Sequence, residues 1–158
     1  QTKEIYSVDV FKDFYSYSGL LSTIKTNNRM VNILASIYAK ENDLDNCVLI
    51  NEKKGVVEVA NANIFILKGT VIKTPALTEG CIKGVVRGKI IEIISKNKEY
   101  TLEETNISPF EIQKADEVFI TNAIIGIQSV TNYKKKNFTA DFSNKISKSL
   151  KILEVTTS

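Results

Sequence analysis

Residues 47–75 read CVLINEKKGVVEVANANIFILKGTVIKTP, and this stretch decides the fold. Cys47 to Ile50 is a short apolar strand, Lys53-Lys54-Gly55 a turn, and Val56 to Val59 the returning strand. Ile64 to Leu67, Gly69-Thr70 and Val71-Ile72 repeat the pattern as a second hairpin. Pro75 cannot donate to a ladder and marks its end. Glu58 interrupts the first hairpin. On a strand of period 2, Val57 and Val59 share one face, and Val56, Glu58 and Ala60 the other. A carboxylate flanked in this way faces solvent or is buried against a cationic partner.

Outward from this stretch the periodicity changes. Towards the N-terminus, Met30, Ile33, Leu34, Ile37 and Tyr38 recur at helical steps, which predicts a helix from Asn28 to Asn42-Asp43. Before it, residues 4–10 suit a strand, and the remainder of 1–20 reads as an extended lead-in. Towards the C-terminus, residues 76–83 form a loop. Gly84 then opens a helix through about Lys96, with Val85, Ile90, Ile91, Ile93 and Ile94 as its apolar residues. Tyr100 to Glu104 and Glu117 to Thr121 read as strands. Ser108-Pro109-Phe110-Glu111 is a helix start: Ser at the cap, Pro at the first position, Glu three residues after the Ser. Ile124 to Val130 is another apolar run, and Ser143 to Leu153 a terminal helix. Helices mixed with hairpins predict an α/β (α+β) unit with a mixed sheet.

Composition excludes several classes of chemistry. The 158 residues contain no histidine, which removes Ser-His, Cys-His and His-ligated metal sites, and no metal centre is expected. The net charge of +3 does not argue for nucleic acid or a membrane surface. Lys134-Lys135-Lys136 is the only basic run and reads as a solvated turn. Cys47 and Cys81 lie in apolar stretches without CxxC spacing, which suits buried thiols in a reducing cytosol. No apolar run approaches the roughly 18 residues that cross a bilayer.

Three features then combine. Lys25, in Ser22-Thr23-Ile24-Lys25-Thr26-Asn27-Asn28-Arg29, offers an amine just before a helix. Glu58 offers a carboxylate at the end of a strand. Gly84 opens a helix whose first amides, those of Val85 and Val86, suit an anion. Gly88-Lys89 is not a Walker A loop, since it lacks the upstream glycine and a following Ser or Thr. An amine, a carboxylate and a helix N-terminus are the tools that hold and use pyridoxal phosphate.

Four ordered blocks carry a resemblance: Lys25-Thr26-Asn27-Asn28-Arg29; residues 51–65; Thr74-Pro75 with Glu79 to Arg87; and Ala115 to Ala123. Over roughly residues 20–131 the chain resembles the class IV aminotransferases, the fold-type IV pyridoxal-phosphate enzymes. These include branched-chain and D-amino-acid aminotransferases and aminodeoxychorismate lyase. The resemblance implies a D-amino-acid aminotransferase-like fold, its mixed sheet partly closed into a barrel with flanking helices. It implies that Lys25 forms the Schiff base and that Glu58 pairs with the pyridine nitrogen. Gly84, Val85 and Val86 then cradle the phosphate, and Asn122-Ala123 makes its second contact.

Two departures stand out. Val86 replaces the hydroxyl residue the family often carries. Asn122-Ala123 stands where many aminotransferases place Ser-Thr or Gly-Thr, and resembles the lyase branch. For Lys25 to move protons it must be neutral, which calls for desolvation and a nearby cationic cofactor. The resemblance also implies that residues 1–20 lead in from an N-terminal domain and that residues 21–158 are the cofactor-binding C-terminal domain. The implied protein is a cytoplasmic homodimer acting on an amino acid and a 2-oxo acid, or on aminodeoxychorismate. This chain alone is expected to bind cofactor weakly and turn over little. A non-catalytic domain that keeps the fold is the third reading.

Overall fold

The computed structural model describes residues 2–156. The two hairpins of residues 47–75 are present but belong to different sheets. Strand β1 (Ser7–Val10) pairs in parallel with β2 (Asn46–Ile50), which returns antiparallel as β3 (Val56–Val59). β4 (Asn63–Lys68) and β5 (Val71–Pro75) form the second hairpin. β6 (Thr101–Thr105) adds in parallel to β5, and β7 (Glu117–Asn122) and β8 (Gly126–Val130) continue antiparallel from β4. The short strands β9 (Asn132–Tyr133) and β10 (Lys136–Asn137) join β1 on its free side. Lys134, at positive φ, makes the turn between them.

The result is two five-stranded mixed sheets, ordered β10-β9-β1-β2-β3 and β6-β5-β4-β7-β8. The expected partial barrel is corrected here: neither sheet closes. Closure needs an unbroken ladder from strand to strand. Between β3 and β4 there is a single bridge, Val59 to Ala62, and the chain turns there into the other sheet.

The core explains this arrangement. Val8, Val10, Val48, Ile50, Val56 and Val59 of the first sheet meet Ile64, Ile66, Val118, Ile120 and Val130 of the second in one apolar layer. On the outer face of the first sheet, Cys47, Leu49 and Val57 pack on Ala35 and Ala39 of α1 (Met30–Glu41). On the outer face of the second, Phe65 stacks on Phe119 at 4.9 Å. That face packs on Val86, Ile90 and Ile94 of α2 (Val85–Ser95) and on Phe142, Ile146 and Leu150 of α4 (Asp141–Thr156). Each fully buried isoleucine contributes about 1.5–3 kcal/mol, so α2 is fixed on the sheet by Ile90 and Ile94. The short helix α3 (Pro109–Lys114) starts with the expected reciprocal cap between Ser108 and Glu111. Among the described residues, no helix is long and apolar enough to cross a membrane.

A bulge in β3 redirects the strand. Val48 pairs with Val59 and Leu49 with Glu58, but Ile50 pairs with Val56, leaving Val57 extra. Val56 therefore points into the layer between the sheets, and Val57 towards α1. The bulge breaks the simple alternation expected from the sequence. Glu58 no longer shares a face with Val56; opposite Leu49, it turns to the α1 side.

Candidate functional site

The turn of Glu58 brings it to a cleft of about 450 Å³ between the start of α1, the end of β7 and the start of α2. Glu58 is 6% exposed. Its Oε2 accepts the Ile82 N–H at 3.0 Å. Its Oε1 faces Arg29 Nη2 at 3.4 Å and Asn32 Nδ2 at 3.5 Å. Burial pushes the carboxyl above its ordinary range, opposed by the Ile82 amide, Arg29 and Asn32. The alternative of a solvent-facing Glu58 is thereby removed.

The start of α2 forms a second wall. Gly84 occupies the N-cap position in extended conformation and offers no side-chain cap. The amides of Val85 and Val86 lie in the first turn, where no intrahelical acceptor exists. A Cβ on Gly84 would collide with Asn63 Oδ1. Asn63 is itself fixed, its Nδ2 donating 2.8 Å to the Ile82 carbonyl. Glycine at this position therefore lets the chain run close beside β4 as it enters the helix.

The turn after β7 forms the third wall. Asn122 Oδ1 accepts the amides of Ile124 and Ile125, each at 2.9 Å, and Nδ2 donates to the Asn61 carbonyl at 3.2 Å. The Asn122 side chain is thus committed to the turn, and the surface that Asn122-Ala123 offers a ligand is largely backbone. Lys25 completes the cleft. Its side chain is exposed.

All the residues singled out in the sequence, Lys25, Glu58, Gly84 to Val86 and Asn122-Ala123, border this one cleft. Sequence reasoning assigned no role to Arg29, Asn32, Asn63 or Thr121. Arg29 carried a signal, as a cation four residues after Lys25, but the distance to Glu58 depends on the bulge. Among the described residues, the buried polar atoms without a partner are Arg87 Nε and Thr121 Oγ1, and both residues border the cleft. No group of three or more potential metal ligands occurs among them.

The donor set fits pyridoxal phosphate. A buried carboxylate suits a protonated ring nitrogen, helix-start amides without an intrahelical acceptor suit a phosphate, and an accessible amine suits a carbonyl carbon. Comparison with known proteins agrees at the level of family. Residues 3–133 match the amino-transferase class IV family, and the chain belongs to it. It is 32% identical over 127 residues to a branched-chain amino acid aminotransferase of Humulus lupulus, covering 79% of this chain and 32% of the relative. It is 28% identical over 123 residues to an aminodeoxychorismate lyase of Vibrio harveyi, covering 78% of this chain and 45% of the relative. The fold matches that of a Thermobaculum terrenum branched-chain aminotransferase in its pyridoxal-phosphate form. There the TM-score is 0.87 at 18% identity, over 97% of this chain and 52% of the other. The chain thus spans less than half the length of these curated relatives and about half of the matched structure.

Proposed function

We propose that the cleft holds pyridoxal phosphate and that the chain is the cofactor-bearing part of an amino-acid transaminase. The observation that carries this is the meeting of amine, buried carboxylate and helix start around one cleft of about 450 Å³. When bound, the cofactor supplies an electron sink for charge that develops on the substrate Cα. The rest falls to the chain's own residues. Glu58 accepts from the ring nitrogen and keeps it protonated. The amides of Val85 and Val86 bind the phosphate, with the backbone of Asn122-Ala123 opposite. Lys25 Nζ would hold the cofactor and, when free, would carry the proton between the substrate Cα and the cofactor C4′ carbon. A cytosolic homodimer belongs to this reading. Cys47 and Cys81 support the compartment: both are buried free thiols, and burial pushes each up to about 11.

The second reading is aminodeoxychorismate lyase, in which the same lysine serves elimination of pyruvate to give p-aminobenzoate. Asn122-Ala123, the pair resembling the lyase branch, favours it. The identity of the product separates the two: glutamate formed from 2-oxoglutarate supports the transaminase, and p-aminobenzoate formed from aminodeoxychorismate the lyase. The cofactor assignment is tested by adding pyridoxal phosphate, removing the unbound cofactor by gel filtration and following the absorption band near the visible edge in the protein fraction. A band bleached by borohydride and absent in Lys25→Ala is the expected result. An unchanged band in Lys25→Ala overturns the role of Lys25. No band in any variant favours a non-catalytic domain.

A further inference from the structure

Arg29 sits at the N-cap of α1, where the chain leaves the Lys25 segment. Together with Glu58 it borders both the cleft and a neighbouring cavity of about 660 Å³. The pair therefore stands in the wall between the two spaces. The two oxygens of Glu58 are held unequally. Oε2 has a 3.0 Å bond from the Ile82 amide, while Oε1 has only the longer contacts to Arg29 and Asn32, at 3.4 Å and 3.5 Å. Asn32 Nδ2 has a better acceptor in the Ala60 carbonyl at 2.8 Å. Arg29 is thus the principal partner of Oε1.

We propose that Arg29 is a positioning residue for Glu58: its guanidinium holds the buried carboxylate ionised through a long contact to Oε1, which keeps a lone pair to accept from a ring nitrogen. The purpose of this pairing rests on the pyridoxal-phosphate reading; the geometry does not. A buried carboxylate without a cation takes up a proton, and a protonated Glu58 does not stabilise a protonated ring nitrogen. Other charged and titratable groups lie near. Lys25, Lys83 and Arg87 border the cleft, and Cys81 feels the Glu58 charge. Among the described residues, Arg29 is nonetheless the cation in direct contact with Glu58, at 3.4 Å. Arg87 turns its guanidinium away, to the Pro75 carbonyl at 2.9 Å and to Glu104 at 2.6 Å. An arginine suits this position because it stays charged throughout the accessible pH range.

Carboxyl-carbon NMR of the cofactor-free chain tests the proposal, with the Glu58 signal assigned by its loss in Glu58→Gln. In Arg29→Gln the Glu58 midpoint rises by about 1 pH unit or more, the effect of removing a close opposite charge. Arg29→Lys gives a smaller rise, and it carries the test if Arg29→Gln does not fold. An unchanged midpoint in the folded variants overturns the proposal and leaves Arg29 with its place before α1 alone. Pyridoxal phosphate binding is then measured against pH. The proposal predicts a loss of about tenfold in affinity for Arg29→Gln near neutrality, recovered at higher pH, where Glu58 ionises again. A shifted midpoint with unchanged cofactor affinity overturns the positioning role. If the unmodified chain binds no pyridoxal phosphate, the cofactor reading fails, while the NMR midpoint still decides whether Arg29 controls Glu58.

Discussion

The walls of the cleft are held in different ways. Glu58 and Gly84 to Val86 rise directly from packed structure: β3 lies in a sheet buried on both faces, and α2 is fixed on the second sheet by Ile90 and Ile94. Lys25 lies instead in the irregular segment ahead of α1, among the exposed apolar residues Tyr17, Leu21 and Ile24. The contrast separates recognition from reactivity. On the proposed reading, the groups that would take a cofactor's ring and phosphate are preorganised by the core, while the proposed amine is carried on a segment with little burial of its own.

The largest expected effect falls on the exposed wall. Lys25→Ala eliminates the borohydride-sensitive absorption band completely and leaves the unfolding midpoint unchanged, because an exposed lysine holds nothing in place. A large loss of stability in this variant would break the contrast. The complementary change is Phe65→Ala, beneath α2. Removing a fully buried, stacked ring costs about 3–5 kcal/mol, read from urea unfolding, whereas Ile24→Ala on the exposed segment stays within about 0.5 kcal/mol. Comparable losses in the two would show that the segment is as well packed as the sheet.

Gly84→Ala sharpens the account of the helix start. Its Cβ would collide with the Asn63 side-chain oxygen, so either Asn63 swings away and disturbs its bond to the Ile82 carbonyl or the chain shifts where β4 meets α2. A loss of about 1–3 kcal/mol follows from overpacking, together with weaker pyridoxal phosphate binding by spectroscopic titration. The smallest effect belongs to Glu58→Gln. Burial raises the Glu58 carboxyl in the folded chain above its ordinary value. The stability it contributes is therefore fully present below the ordinary carboxylate range and is lost as pH rises through the folded value. The neutral amide does not titrate. Relative to the unmodified chain, the melting temperature of Glu58→Gln should rise from acid to neutral pH, as thermal unfolding across that range will show.

Local features of the chain were legible in the sequence. The hairpins at residues 47–59 and 64–72, the cap at Ser108 and the helices over 30–41 and 85–95 each follow from signals within a few residues. Non-local features were not. The bulge at Val57 depends on how β3 meets β2, and it decides that Glu58 faces α1 rather than the side of Val56. The passage from one sheet to the other after Val59, which replaces the expected barrel, depends on the apolar layer shared by both sheets. β1 is a further case. Residues 4–10 have the pattern of a strand and β1 covers Ser7–Val10, but its parallel pairing with β2 and β9 spans distant parts of the chain. In the cleft, single residues could be singled out by type and order, whereas the contact of Arg29 with Glu58 required the fold.

The central claim is that Lys25 is the amine served by this cleft. The direct measurement is borohydride reduction of the chain after addition of pyridoxal phosphate, followed by peptide mapping by mass spectrometry. The account predicts one predominant modified site, Lys25. Modification centred on Lys83, the other lysine at the rim of the cleft, or spread evenly over surface lysines, would contradict it.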